Sequence, residues 1–262
     1  MSRAAARLAT GLALAVGLSP ALWNLVGHWG AAPWSRYSIL FLPVLAALSW
    51  RESTGGGPEF SSGERSLWTA GVVLSLGIEL LAIAGGLPSL ARIALPLAAV
   101  GGLRLALGLS PRDGILAFWV IPLPHALLAI TSPWLEETWG ALARQILGPG
   151  SAGSAPLVLG PADGGQRLVA TFVGLAWALG AWRREAPGPR LGRMLRWGML
   201  GAGLQLPVLL LALLLADQGH VRAARMWLDQ AVWIAGALGL FAAMQPLRRS
   251  SALGRGASAP GG

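Results

Sequence analysis

Twenty consecutive residues, Trp197 to Ala216, carry no ionisable side chain. A run of that length is what an α-helix needs to cross the hydrocarbon of a bilayer. Comparable apolar runs recur along the chain, and they dictate a helical membrane fold. An outer-membrane barrel would instead show short strands of alternating polarity. The 262 residues are 54% hydrophobic and 12% charged, against roughly 25% charged in an ordinary soluble domain. Mean hydropathy is +0.59. Too little charge is present to cover a water-facing surface, which excludes a soluble enzyme and a disordered chain.

Eight spans are predicted: Arg7–Val26, Tyr37–Trp50, Ser66–Gly85, Ser89–Leu109, Gly114–Ile130, Arg167–Trp182, Leu195–Ala216 and Trp227–Met244. The predicted fold class is therefore all-α, a polytopic bundle over residues 1–250 with a disordered tail at 251–262. Pro122 and Pro124 should kink or break the fifth span. Arg3 and Arg7 ahead of the first apolar run resemble a signal-peptide start, but no clean small-residue cleavage site follows. The first span is read as uncleaved. Most of the 13 Trp flank spans as interfacial belts.

All 20 basic residues are Arg, and with 11 acids the net charge is +9. No basic–aromatic motif points to nucleic acid, so the excess is read as cytoplasmic loop charge facing anionic lipid. Arg183, Arg184, Arg190, Arg193 and Arg196 follow span six against Glu185 alone. Arg248, Arg249 and Arg255 follow span eight, and Arg3 and Arg7 precede span one. With eight spans these groups share one side, so both termini are expected in the cytoplasm of a cell whose inner membrane holds the chain. The loop from Thr131 to Gln166 then lies outside. Within it Leu135, Trp139, Leu142 and Ile146 share one helical face, predicting one outer interfacial helix over Trp134–Leu147.

Cysteine is absent, and His28, His125 and His220 lie far apart. No metal or other cofactor is expected from this chain. No internal repeat of the transporter kind is visible.

Three local patterns occur in order. They are Tyr37-Ser38 followed by Leu42-Pro43 at span two, Ile121-Pro122-Leu123-Pro124 in span five, and Thr171-Phe172-Val173-Gly174-Leu175 in span six. Together with the eight-span layout they resemble the exosortase/archaeosortase family. That resemblance implies a bundle handling C-terminal sorting signals of surface proteins, with the bilayer and such a signal's transmembrane segment as partners. The departures fall on the chemistry. Aligned on Gly174-Leu175, Phe172 stands where the family has its nucleophilic Cys. Gln205 and Pro207 occupy the region of the family's Arg in span seven, and no His lies between Met226 and Gly236. Losing all three groups argues against the family's reaction.

Substitute groups exist near the outer ends: Thr171, His220, Arg222 and Asp229. A hydroxyl, an imidazole and a carboxylate would make a triad if they met. The plainer reading, adopted here, has Thr171 bonding its own backbone and the others as interfacial residues. Phe172 and Gln205 complete the outer-cleft candidates. Glu79 is an intramembrane acid in span three, and its expected partner is Arg92 across the Gly85–Pro88 turn. Three functions compete. They are an exosortase-like binder without cysteine transpeptidase activity, a scaffold or assembly subunit for other membrane proteins, and a small-molecule or lipid transporter. Glu79 and Gln205 are nearly the whole set of mid-depth polar groups, so transport ranks last.

Overall fold

The computed structural model describes residues 9, 12–13, 16–31, 33–54, 60–120, 133–134, 137–142, 145–147 and 165–255. The side chains of Pro33, Trp34, Ser35, Thr54, Pro88, Ser89, Arg92 and those from Leu240 onward are outside that description. Every regular element among the described residues is helical. The α-helices are α1 (Ser19–Ala31), α2 (Phe41–Thr54), α3 (Ser62–Ala84), α4 (Pro88–Leu107), α5 (Pro111–Gly114), α6 (Gln166–Trp182), α7 (Pro187–Asp217) and α8 (Val221–Arg255). Pro33–Leu40 and Ile115–Val120 are 3-10 segments. Two helices, α3 and α7, are long and apolar enough to cross a membrane, and Ile93–Leu107 of α4 is a shorter apolar stretch.

Several expected boundaries move, for local reasons. The first span was expected as one helix over Arg7–Val26, but a turn falls at Leu18 and α1 starts at Ser19. Pro20 has no N–H to give the preceding turn, and Ser19 Oγ instead donates to the Val16 carbonyl at 2.7 Å. The fifth span begins as the short α5 and a 3-10 segment, not as a continuous α-helix. Pro122, Pro124 and His125 lie outside the described residues. α8 runs on to Arg255, and the rest of the tail expected to be disordered lies outside the described residues. The residues described within 134–147 are helical, and Trp139 packs on a core of Leu209, Ala212, Ala216, Ala224 and Leu228.

The described residues divide into two compact units, Met1–Pro133 with Gly180–Arg190, and Trp134–Leu179 with Leu191–Gly262. In the first, α3 packs along α4, and α4 also touches α1, α2 and the Ile115–Val120 segment. Ser61 caps α3, its Oγ accepting from Glu64 N–H at 3.2 Å. At the far end Gly86, at φ +66°, lets the chain turn back, and Leu87 N–H closes onto the Ala82 carbonyl at 2.7 Å. The two helices approach most closely at Gly101, where a Cβ would stand 2.7 Å from Val72 Cγ2. In the second unit α6 and α7 meet at Gly201, where a Cβ would stand 2.9 Å from the Leu168 carbonyl oxygen. Small residues at the contact lines are how helices pack closely where lipid competes for the same surface.

Burial separates polar from apolar side chains. Glu79, Arg104, Asp113, Arg167, Thr171, Arg190 and Gln205 are buried. Leu67, Val73, Leu74, Leu80, Leu81 and Ile83 of α3 are exposed, as are Met199, Leu200, Leu211 and Leu214 of α7. Scattered exposed leucines are ordinary, but whole helix faces of them mark a surface meant for an apolar environment.

Candidate functional site

The polar side chains of the second unit gather where α6 begins. Gly165, at φ +90°, leads into the helix, and a Cβ there would stand 2.9 Å from Gln205 Cγ. Arg167 follows in the first turn of α6. Its guanidinium is 4% exposed, an unusual burial for this side chain. Nη2 donates to the Leu228 carbonyl at 3.4 Å, and Nη1 lies 3.7 Å from Asp229 Oδ1. The second distance is charge attraction without a hydrogen bond. Arg225, one turn before Asp229 on α8, reaches its other oxygen at 3.9 Å. Arg167 and Gln205, with Val208, Leu228 and Val232, line a cavity of about 10 Å³. That is room for about one water molecule beside an amide and a guanidinium. It is too small for a peptide or a lipid tail.

Thr171 stands one turn beyond Arg167 on the same helix and is 0% exposed. The expected bond from Thr171 to its own helix backbone is not formed: Oγ1 has no hydrogen-bond partner among the described residues. Phe172, next on α6, is 2% exposed. Its ring centroid is 5.9 Å from that of Trp197 on α7, tilted by 54°. Gly239 of α8 leaves room for both rings, with a Cβ there only 3.6 Å from each. Phe172 is thus a ring packed among three helices.

His220 and Arg222 sit elsewhere. His220 caps α8, its carbonyl accepting from Ala224 N–H at 3.0 Å, and both side chains are exposed. Nine residues separate His220 from Asp229 along the helix, about 13 Å of rise and half a turn of rotation. Asp229 is held by arginines, and no hydroxyl–imidazole–carboxylate set is assembled from these residues. No group of three or more His, Asp or Glu comes together among the described residues.

Glu79 is buried in α3, and its Oε1 accepts the backbone N–H of Ala21 at 3.1 Å. Ala21 belongs to the first turn of α1, whose amides have no partner within the helix. The break at Pro20 therefore creates the donor that Glu79 satisfies. Whether Arg92 also reaches Glu79 lies outside the described side chains.

The strongest polar contacts were not singled out from the sequence, and they lie in the first unit. Arg190 is 0% exposed and donates from Nη1 to Asp113 Oδ1 at 2.7 Å, with Nη2 on the Glu185 carbonyl at 3.2 Å. Arg104 donates to Glu64 Oε1 at 2.6 Å. Arg51, at the end of α2, pairs with Glu52 at 2.7 Å and donates to the Trp182 and Ala181 carbonyls that end α6. Its guanidinium also lies over the Trp182 ring, 5.2 Å from the centroid. The only signal available was that each acid was the lone or nearly lone carboxylate of its loop. Compared with known family models, curated proteins and solved structures, the chain matches none.

Proposed function

We propose that this chain is a multi-pass membrane protein of about eight spans with both termini in the cytoplasm. It holds a partner's transmembrane segment and does not cleave it. The exosortase-like pattern around Tyr37-Ser38, Leu42-Pro43 and Gly174-Leu175 makes a C-terminal sorting signal of a surface protein the favoured partner. The observation that carries the non-catalytic reading is Phe172. It is buried against Trp197 at the aligned nucleophile position, in a chain without cysteine. A thiolate mechanism has no atom to start from.

The expectation that these helix ends share one side draws support from the first unit. The ends of α2 and α6, the start of α7 and the turn at α5 are expected on the cytoplasmic side, and Arg51 and Arg190 tie them together there. A hydroxyl mechanism lacks support, since Asp229 is held by Arg167 and Arg225.

The test co-expresses the chain with a sorting-signal protein from its own genome, in a host free of sortase-like enzymes. Full-length substrate that co-purifies with the chain is the expected result. Cleavage of the signal, abolished by Thr171→Ala, would overturn the proposal. Phe172→Cys should not create activity, because the family's activating Arg and His have no counterparts at the aligned positions of the sequence.

A further inference from the structure

A groove of about 700 Å³ runs along one face of α3 at its N-terminal end. Its lining changes character along the helix: Phe60, Ser62, Arg65, Ser66 and Thr69 come first, then Val73. These residues recur every three or four positions, so they form one stripe on the helix surface. Arg65 to Val73 spans about 12 Å of rise, the depth from a head-group layer into hydrocarbon. We propose that this groove binds an anionic phospholipid, with its phosphate on Arg65 and the serines and an acyl chain along Val73.

Charge complementarity commits the groove to that occupant. Arg65 is exposed in the groove's lining. The neighbouring acid, Glu64, does not neutralise it, because Glu64 Oε1 is taken by Arg104 at 2.6 Å. Arg104 also lies over the Phe60 ring, 4.7 Å from the centroid, and so fixes the groove's wall. Ser62 and Ser66 are exposed in the groove's lining. Phosphate ester oxygens accept from guanidinium and hydroxyl groups alike. The start of α3 adds amides and a positive helix end to the same place. A soluble phosphate would use the upper half of the groove and leave the apolar half in contact with nothing. The bilayer supplies both halves in one molecule.

The experiment uses the full chain purified in mild detergent, with lipid bound to it counted by mass spectrometry of the intact complex. The probes are dioleoyl phosphatidylglycerol, dioleoyl phosphatidylcholine and inorganic phosphate. The wild type should retain one phosphatidylglycerol in preference to phosphatidylcholine, and inorganic phosphate should not displace it. Arg65→Gln should lower that preference about fivefold, the factor a single interfacial arginine contributes. Arg36→Gln, which removes an exposed arginine expected on the opposite side of the membrane, should leave it unchanged. Ser66→Phe fills the groove without altering charge and should give the same loss, which covers the case of a poorly folded Arg65 variant. Retention as strong as the wild type's in both Arg65→Gln and Ser66→Phe would overturn the proposal. So would displacement by inorganic phosphate, which would assign the site to free anions.

Discussion

Arg190 Nη1 and Asp113 Oδ1 are 2.7 Å apart, and neither side chain is more than 8% exposed. The arginine lies over Gly180, where a Cβ would stand 2.7 Å from its Cγ. The start of α7, the end of α6 and the turn at α5 are thus joined by one buried guanidinium.

Removing one partner of such a pair strands the other as a buried charge, at about 3–5 kcal/mol. Arg190→Gln and Asp113→Asn are each expected to lower the melting temperature in detergent. The double variant should lose clearly less than the sum. Gly180→Leu should behave like Arg190→Gln, because it displaces the guanidinium without changing charge. Additive losses in the double variant would show that the pair contributes no coupling.

Glu79 serves α1 through an acceptor oxygen, so its shape matters more than its charge. Glu79→Gln keeps an oxygen for the Ala21 amide and should cost little. Glu79→Ala leaves that amide unmet, at about 1–3 kcal/mol. Thermal unfolding of the two variants separates them, and equal losses would contradict the capping role. The expected Arg92 pairing makes the opposite forecast for charge: it requires Glu79→Gln to cost stability, non-additively with Arg92→Gln.

The close approach of α6 and α7 at Gly201 predicts a steric rather than a chemical penalty. Gly201→Leu should push the helices apart at Leu168 and destabilise the second unit by about 1–3 kcal/mol. Gly203, whose Cβ would meet nothing within 4 Å, is the control. Gly203→Leu should leave the melting temperature within about 1 °C, consistent with a lipid-facing surface change. Equal effects at the two glycines would argue against the packing described.

Much of the helical layout was legible because apolar runs and their caps are local signals. The helix expected over Arg167–Trp182 is α6, Gln166–Trp182. The helix expected over Ser89–Leu109 is α4, closed by the left-handed Gly108. Span one was misjudged because hydropathy does not register a turn: Leu18, Ser19 and Pro20 are apolar or small, yet Pro20 breaks the ladder. The polar contacts were the least legible. Arg167 read as the edge of a span, and only the fold brings Gln205 and Asp229, far along the chain, to it. Arg190 counted as one more loop charge, although it is among the most deeply buried side chains of the described residues.

The central claim, a chain threaded through the membrane with both termini inside, is tested most directly by labelling single cysteines in intact cells. The absence of native cysteine removes any background. Cysteine at Ser154 is expected to react with a membrane-impermeant maleimide added outside. Cysteine at Ser250 is expected to react only after the membrane is opened. Labelling of Ser250→Cys in sealed cells, with Ser154→Cys protected, would contradict the orientation and the exosortase-like layout built on it.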